Sequence, residues 1–158
     1  PRLQGMKLTA WELYNEGIPH SIIVDGAAGH FLRKDVNMVI VGADRVAANG
    51  DFANKIGTFD KAVLCHELGV PFYVAAPIST FDFSIASGDN IVIEDRSEEE
   101  VTHVGRERLA PEGSAALNPS FDMTRAKYVT GFITEAGVLR PQEIGRLRKE
   151  QFEEEGDL

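Results

Sequence analysis

The stretch NMVIVGADRVAANGDFANKIGT, residues 37–58, sets the reading of the whole chain. An apolar run without alternation ends at Gly42, the signature of a strand buried on both faces. Asp44 and Arg45 follow at once, then small, turn-prone residues at 47–50. Asn54 and Lys55 stand just before Ile56-Gly57-Thr58, where helical spacing resumes. The pattern is strand, loop, helix, with an acid past the strand and an amide and an amine at the mouth of the helix. In an open parallel sheet, ligands bind beyond the carboxyl ends of the strands. Asp44 is therefore expected to project into that crevice, where apolar neighbours would desolvate it and raise its pKa towards use as a proton donor. It could instead cap a turn or pair with Arg45. A helix N-terminus offers free N–H groups and a favourable dipole to an anion. Gly57 would allow close approach, Thr58 would add a hydroxyl and Lys55 a charge. The alternative is a plain cap by Asn54 beside a solvated Lys55. The P-loop pattern is absent.

Working outward, three further apolar runs read as strands: HSIIVD at 20–25, PFYVAAP at 71–77 and NIVIEDR at 90–96. Helical stripes separate the early ones. Leu8, Trp11 and Leu13 share one, stopped by Gly17 and Pro19; a short helix follows near 26–34; residues 56–69 form another, with Gly69 as C-cap. The expected fold is α/β, a Rossmann-like parallel sheet with helices on both faces and right-handed crossovers. The segment 97–122 is loop-rich. Its unpatterned apolar residues Val101, Val104, Leu109, Leu117 and Phe121 point to an interface. Residues 123–137 read as a helix, although YVTGFIT at 128–134 reads equally as strand. A terminal helix is expected over 141–155, started by Pro141. Asp25, after the first apolar run, would face the same crevice as Asp44.

The 158 residues suit a single domain spanning 1–158. The start at Pro1, polar and without Met, reads as part of a longer protein whose N-terminal portion lies elsewhere. No run approaches the ~20 apolar residues that cross a bilayer, and PRLQ opens no signal peptide. A net charge of −9, with no basic face, disfavours nucleic acid. One cysteine, Cys65, excludes an internal disulfide and fits a reducing compartment, hence the cytoplasm. His20, His30, His66 and His103 lack metal-ligand spacing, so no metal is expected, and Cys65 and His66 read as structural. Neither a G-x-S-x-G elbow nor a G-x-G-x-x-G turn occurs.

The segments PRLQG (1–5), LTAWEL (8–13), VIVGADRVAANGDFANKIGT (39–58), PFYVAAPISTFD (71–82), EEVTHV (99–104), APEG (110–113) and NPSFDMT (118–124) occur in the order found in the methylthioribose-1-phosphate isomerase family. Residues 1–139 resemble its C-terminal domain. The resemblance implies conversion of 5-methylthioribose 1-phosphate to 5-methylthioribulose 1-phosphate, an aldose–ketose isomerisation of methionine salvage. It implies no cofactor and a homodimer. It makes Asp44 the catalytic proton donor, and Asn54, Lys55 and Gln4 substrate-binding residues. The family's catalytic cysteine and arginine-bearing phosphate loop lie upstream of the matching region, and mid-helix Cys65 does not correspond to that cysteine. This chain should therefore hold part of the active site and show little or no turnover alone. The wider superfamily supplies the alternatives: a ribose-1,5-bisphosphate isomerase, or a non-catalytic regulatory subunit like those of a translation initiation exchange factor.

Overall fold

A computed structural model describes residues 2–148. They form two compact units, one of the chain up to Ala28 with Asp95–Asn118, the other of Gly29–Glu94 with Pro119 onward. In the first unit a helix begins with a π-wound stretch, Gly5–Thr9, and continues as α1 (Ala10–Asn15). Of the apolar stripe read from the sequence, Leu8 and Trp11 are exposed and Leu13 is half-buried. The same unit holds a short α4 (Glu99–Thr102) and the ribbon of β6 (His103–Val104) and β7 (Glu107–Arg108). Glu100 gathers Arg2 and Asn118, at 2.7 and 3.3 Å.

The second unit contains the sheets. β1 (Val39–Val41), β4 (Phe72–Ala75) and β9 (Gly131–Thr134) are parallel, with Val41 opposite Val74 and Val74 opposite Phe132. β10 (Gly137–Leu139) returns antiparallel beside β9. A second sheet runs β5-β2-β3-β8. β2 (Arg45–Ala47) and β3 (Phe52–Lys55) form a hairpin, β5 (Phe81–Asp82) lies parallel to β2, and β8 (Phe121–Thr124) lies antiparallel to β3. Between β3 and β4 runs α3 (Thr58–Leu68), closed by Gly69 at φ +68°, whose N–H reaches back to the Cys65 and His66 carbonyls. α2 (Ala28–Leu32) is short.

Phe132 of β9 joins the two sheets. Its ring meets Phe52 of β3 and Phe81 of β5 edge-on, at 6.4 and 5.5 Å between centroids. Val46, Val74, Phe72, Ala62, Cys65, Ile144 and Leu147 fill the same core.

The α/β class and the parallel strands within 37–42 and 71–77 agree with the sequence reading. Three expectations do not. Residues 20–25 form no strand: Ile22, Ile23 and Val24 are exposed, and no strand among the described residues carries their backbone. Residues 90–96 form no strand of three or more residues. They are tied by Ser120 N–H to Glu94 C=O at 2.9 Å, and Val92 is 88% exposed. Over 123–137 the helix is replaced by β8, a turn, β9 and β10, so the strand alternative holds there. Pairing with β4 and β10 takes up residues 131–134 as a strand, and Gly131 fits between them, since a Cβ would stand 3.2 Å from Val138 and 3.3 Å from the Tyr73 ring. The terminal segment begins as a 3-10 helix, Pro141–Arg146. The rest of the expected helix, beyond 148, lies outside the described residues.

Candidate functional site

β1 ends at Val41, and Gly42 and Ala43 carry the chain to Asp44, whose N–H donates to the Ala53 carbonyl at 2.9 Å. That bond opens the β2–β3 hairpin and sets Asp44 beside the segment bearing Asn54 and Lys55. Asp44 is exposed in this chain. Even so, surrounding protein desolvates its carboxyl enough to raise the pKa above the usual carboxylate value, and the Lys55 ammonium only partly opposes this. Arg45 is turned elsewhere: its Nη1 donates to Asp82 at 3.2 Å. The pairing of Asp44 with Arg45, one of the two readings of the sequence, does not form.

Asn54 and Lys55 are half-buried on β3. Asn54 Nδ2 donates to Thr58 Oγ1 at 2.9 Å, and Thr58 Oγ1 donates to the Lys55 carbonyl at 2.7 Å. A Cβ at Gly42 would lie 3.9 Å from Asn54 Oδ1 and 4.0 Å from the Ala75 carbonyl oxygen. The amide oxygen thus sits beside Gly42, just past the carboxyl end of β1. Lys55 Nζ lies 5.3 Å from the centre of the Phe121 ring, a cation–π contact that steadies the amine.

The anion cradle expected at the start of α3 is corrected. Asp122 of β8, opposite Asn54 in the ladder, takes the N–H of Gly57 at 2.7 Å and of Phe59 at 3.0 Å. The chain's own carboxylate therefore occupies the helix end that an incoming phosphate would need. Burial raises the Asp122 pKa, and these N–H bonds oppose the rise. Gly57, at φ +97°, gives the turn into the helix. A cap supplied from more than sixty residues away leaves no local trace in the sequence.

Gln4, just before the first helix, and Asp25, at the start of the turn Asp25–Ala27, belong to the first unit and are exposed; Asp44, Asn54 and Lys55 belong to the second. Cys65 is buried and its thiol pKa is raised by desolvation, which keeps it protonated and inert. His66 packs edge-on to Tyr128 at 5.5 Å. Among the described residues no group of three or more His, Cys, Asp or Glu could hold a metal ion, and no helix is long and apolar enough to cross a membrane.

With this geometry in place, similarity to known proteins gives it a lineage. The model of the initiation factor 2 subunit family matches residues 1–141. The methylthioribose-1-phosphate isomerase of Syntrophotalea carbinolica is 58% identical over 141 residues, covering 89% of this chain and 41% of the relative. That of Aquifex aeolicus is 55% identical over 151 residues, covering 95% of this chain and 33% of the relative. Among solved structures, the 5-methylthioribose 1-phosphate isomerase of Pyrococcus horikoshii OT3 superposes with a TM-score of 0.87 at 48% identity, covering 96% of this chain and 42% of that one. The translation initiation factor eIF-2B delta subunit of A. fulgidus gives 0.86 at 40% identity, covering 92% and 44%. The chain spans about two-fifths of the length of such relatives. With the family model matched over 141 of 158 residues, the chain belongs to the initiation factor 2 subunit family.

Proposed function

We propose that this chain is the part of a methylthioribose-1-phosphate isomerase that supplies the proton donor and the sugar-binding amide and amine. The observation that carries the reading is Asp44: a carboxyl with a raised pKa, beyond the end of a parallel strand, on the segment that also brings Asn54 and Lys55. In an aldose 1-phosphate the phosphate blocks the anomeric oxygen, so the ring does not open as an ordinary hemiacetal. Protonation of the ring oxygen by Asp44 lets its bond to C1 break. In the net change C2 loses its hydrogen, C1 gains one, and the C2 hydroxyl gives up its proton to become the ketone. One proton enters and one leaves, so no cofactor is required.

Asn54 and Lys55 bind the sugar phosphate, and Gln4 contributes once the whole protein is assembled. The rest of the site, including the phosphate-binding residues, comes from the remaining part of a longer polypeptide. The complete enzyme acts in the cytoplasm as a homodimer. The likeness to the eIF-2B delta subunit at 40% identity favours one second reading, a regulatory module that binds a sugar phosphate without turning it over. The test is an assay of the complete protein with 5-methylthioribose 1-phosphate and, separately, ribose 1,5-bisphosphate, following ketose by NMR. Ketose from the methylthio sugar is the expected result. Ketose from the bisphosphate alone would reassign the substrate, and binding without ketose would favour the regulatory module.

A further inference from the structure

A hydroxyl has one proton to give, and where it goes decides what its neighbour must be. Thr58, the first residue of α3, is 5% exposed. Its Oγ1 lies 2.7 Å from the Lys55 carbonyl oxygen, which can only accept, so the hydroxyl proton points there. Oγ1 then has only lone pairs left. The Asn54 atom 2.9 Å away must therefore be the donor, Nδ2. This sets the amide one way round. Oδ1 then lies on the side of Gly42, just past the carboxyl end of β1.

A free asparagine offers a ligand either a donor or an acceptor. Here Thr58 Oγ1 takes one of the two Nδ2 hydrogens and fixes the amide with Oδ1 on the side of Gly42. We propose that Thr58 is a positioning residue that makes Asn54 a hydrogen-bond acceptor towards the ligand, so that this point of the site selects a ligand hydroxyl. The inference rests on the sugar-phosphate reading for the ligand's class, but the orientation of the amide does not depend on it. A Thr58 that merely started the helix would affect stability and would not discriminate between ligands. The selection follows from the half-buried amide: a ligand that covers Asn54 Oδ1 without offering it a hydroxyl takes away its water partner and returns none.

The test uses the complete enzyme and its Thr58→Val and Thr58→Ser variants, with Thr58→Ala standing in if the valine form does not fold. Binding is measured for 5-methylthioribose 1-phosphate and its 2-deoxy and 3-deoxy analogues. Thr58→Val should bind the parent sugar about tenfold more weakly, the size of one hydrogen bond, and Thr58→Ser should restore it. For one deoxy analogue the wild type should already bind weakly, and Thr58→Val should add no further loss. Equal weakening of all three sugars by Thr58→Val would overturn the proposal. The Asn54 side-chain amide resonances give a readout free of any ligand: their hydrogen-bonded shift should be lost in Thr58→Val and kept in Thr58→Ser. An unchanged signal in Thr58→Val would equally overturn it. If the wild type binds none of the sugars, the sugar-phosphate reading fails, and the amide signal still decides whether Thr58 orients Asn54.

Discussion

Asp44→Asn in the complete enzyme should lower turnover by at least ~100-fold, the lower end of what a positioned acid contributes, with little change in KM. The substitution keeps shape and polarity and removes the ionisable proton. Its effect should fall on the step in which the ring oxygen leaves C1. Two features of the geometry support the proposed role. Protein around the carboxyl raises its pKa, so the protonated form persists to higher pH than in an ordinary aspartate. Arg45, the cation next to it in sequence, is held by Asp82. Initial-rate kinetics separate kcat from KM. A variant with near-normal kcat would remove Asp44 from the chemistry.

Asp51→Ala should destabilise the fold by about 3 kcal/mol, read as a lower denaturant midpoint. Asp51 is 3% exposed at the turn of the β2–β3 hairpin. Its carboxylate accepts from Asn49 Nδ2 at 3.0 Å, Ala126 N–H at 2.9 Å, Gly88 N–H at 3.2 Å and Arg125 Nη1 at 2.8 Å. Burial alone would raise its pKa, but these donors together outweigh it, and the carboxyl titrates below its usual range. Alanine leaves those donors facing a void. The loss is placed at the low end for a broken buried pair because Arg125 is partly exposed and keeps Asp89 as a partner. The neighbourhood tolerates little adjustment: a Cβ at Gly88 would meet Asp51 and Met123 at 2.8 Å. The pH dependence has a definite sign. The folded pKa lies below the unfolded one, so Asp51 stabilises fully above about pH 4 and its contribution is lost as pH falls through the folded value. The stability gap between wild type and Asp51→Ala should therefore narrow in acid.

The sequence was readable where hydrophobic pattern and geometry coincide. The runs at 37–42 and 71–77 are buried and continuous, and both contain parallel strands. The run at 20–25 is just as apolar, but a strand is defined by its neighbour, and composition does not reveal whether one is present. The second sheet escaped notice for the opposite reason. Strands of two to four residues such as RVA, FD and FDMT are too short for alternation to register. The nearness of Asp44 to the segment of Asn54 and Lys55 was legible because strand end, hairpin and helix start all fall within residues 41–58. The role of Asp122 was not, since β8 brings it to α3 from the neighbouring strand of the second sheet, and Asp51, just past the turn-prone residues 47–50, carries no local signal of its partners. The segment 97–122 does expose Val101, Val104, Leu109 and Leu117, whereas Phe121 is half-buried on β8.

The most direct test of the account is a crystal structure of the complete enzyme with the product ketose bound. A carboxyl oxygen of Asp44 should lie within hydrogen-bond reach, about 3 Å, of the oxygen released from the ring, with Asn54 Oδ1 accepting from a sugar hydroxyl and Lys55 on the same ligand. A ketose bound away from these three residues, or an Asp44 carboxyl directed away from it, would contradict the assignment.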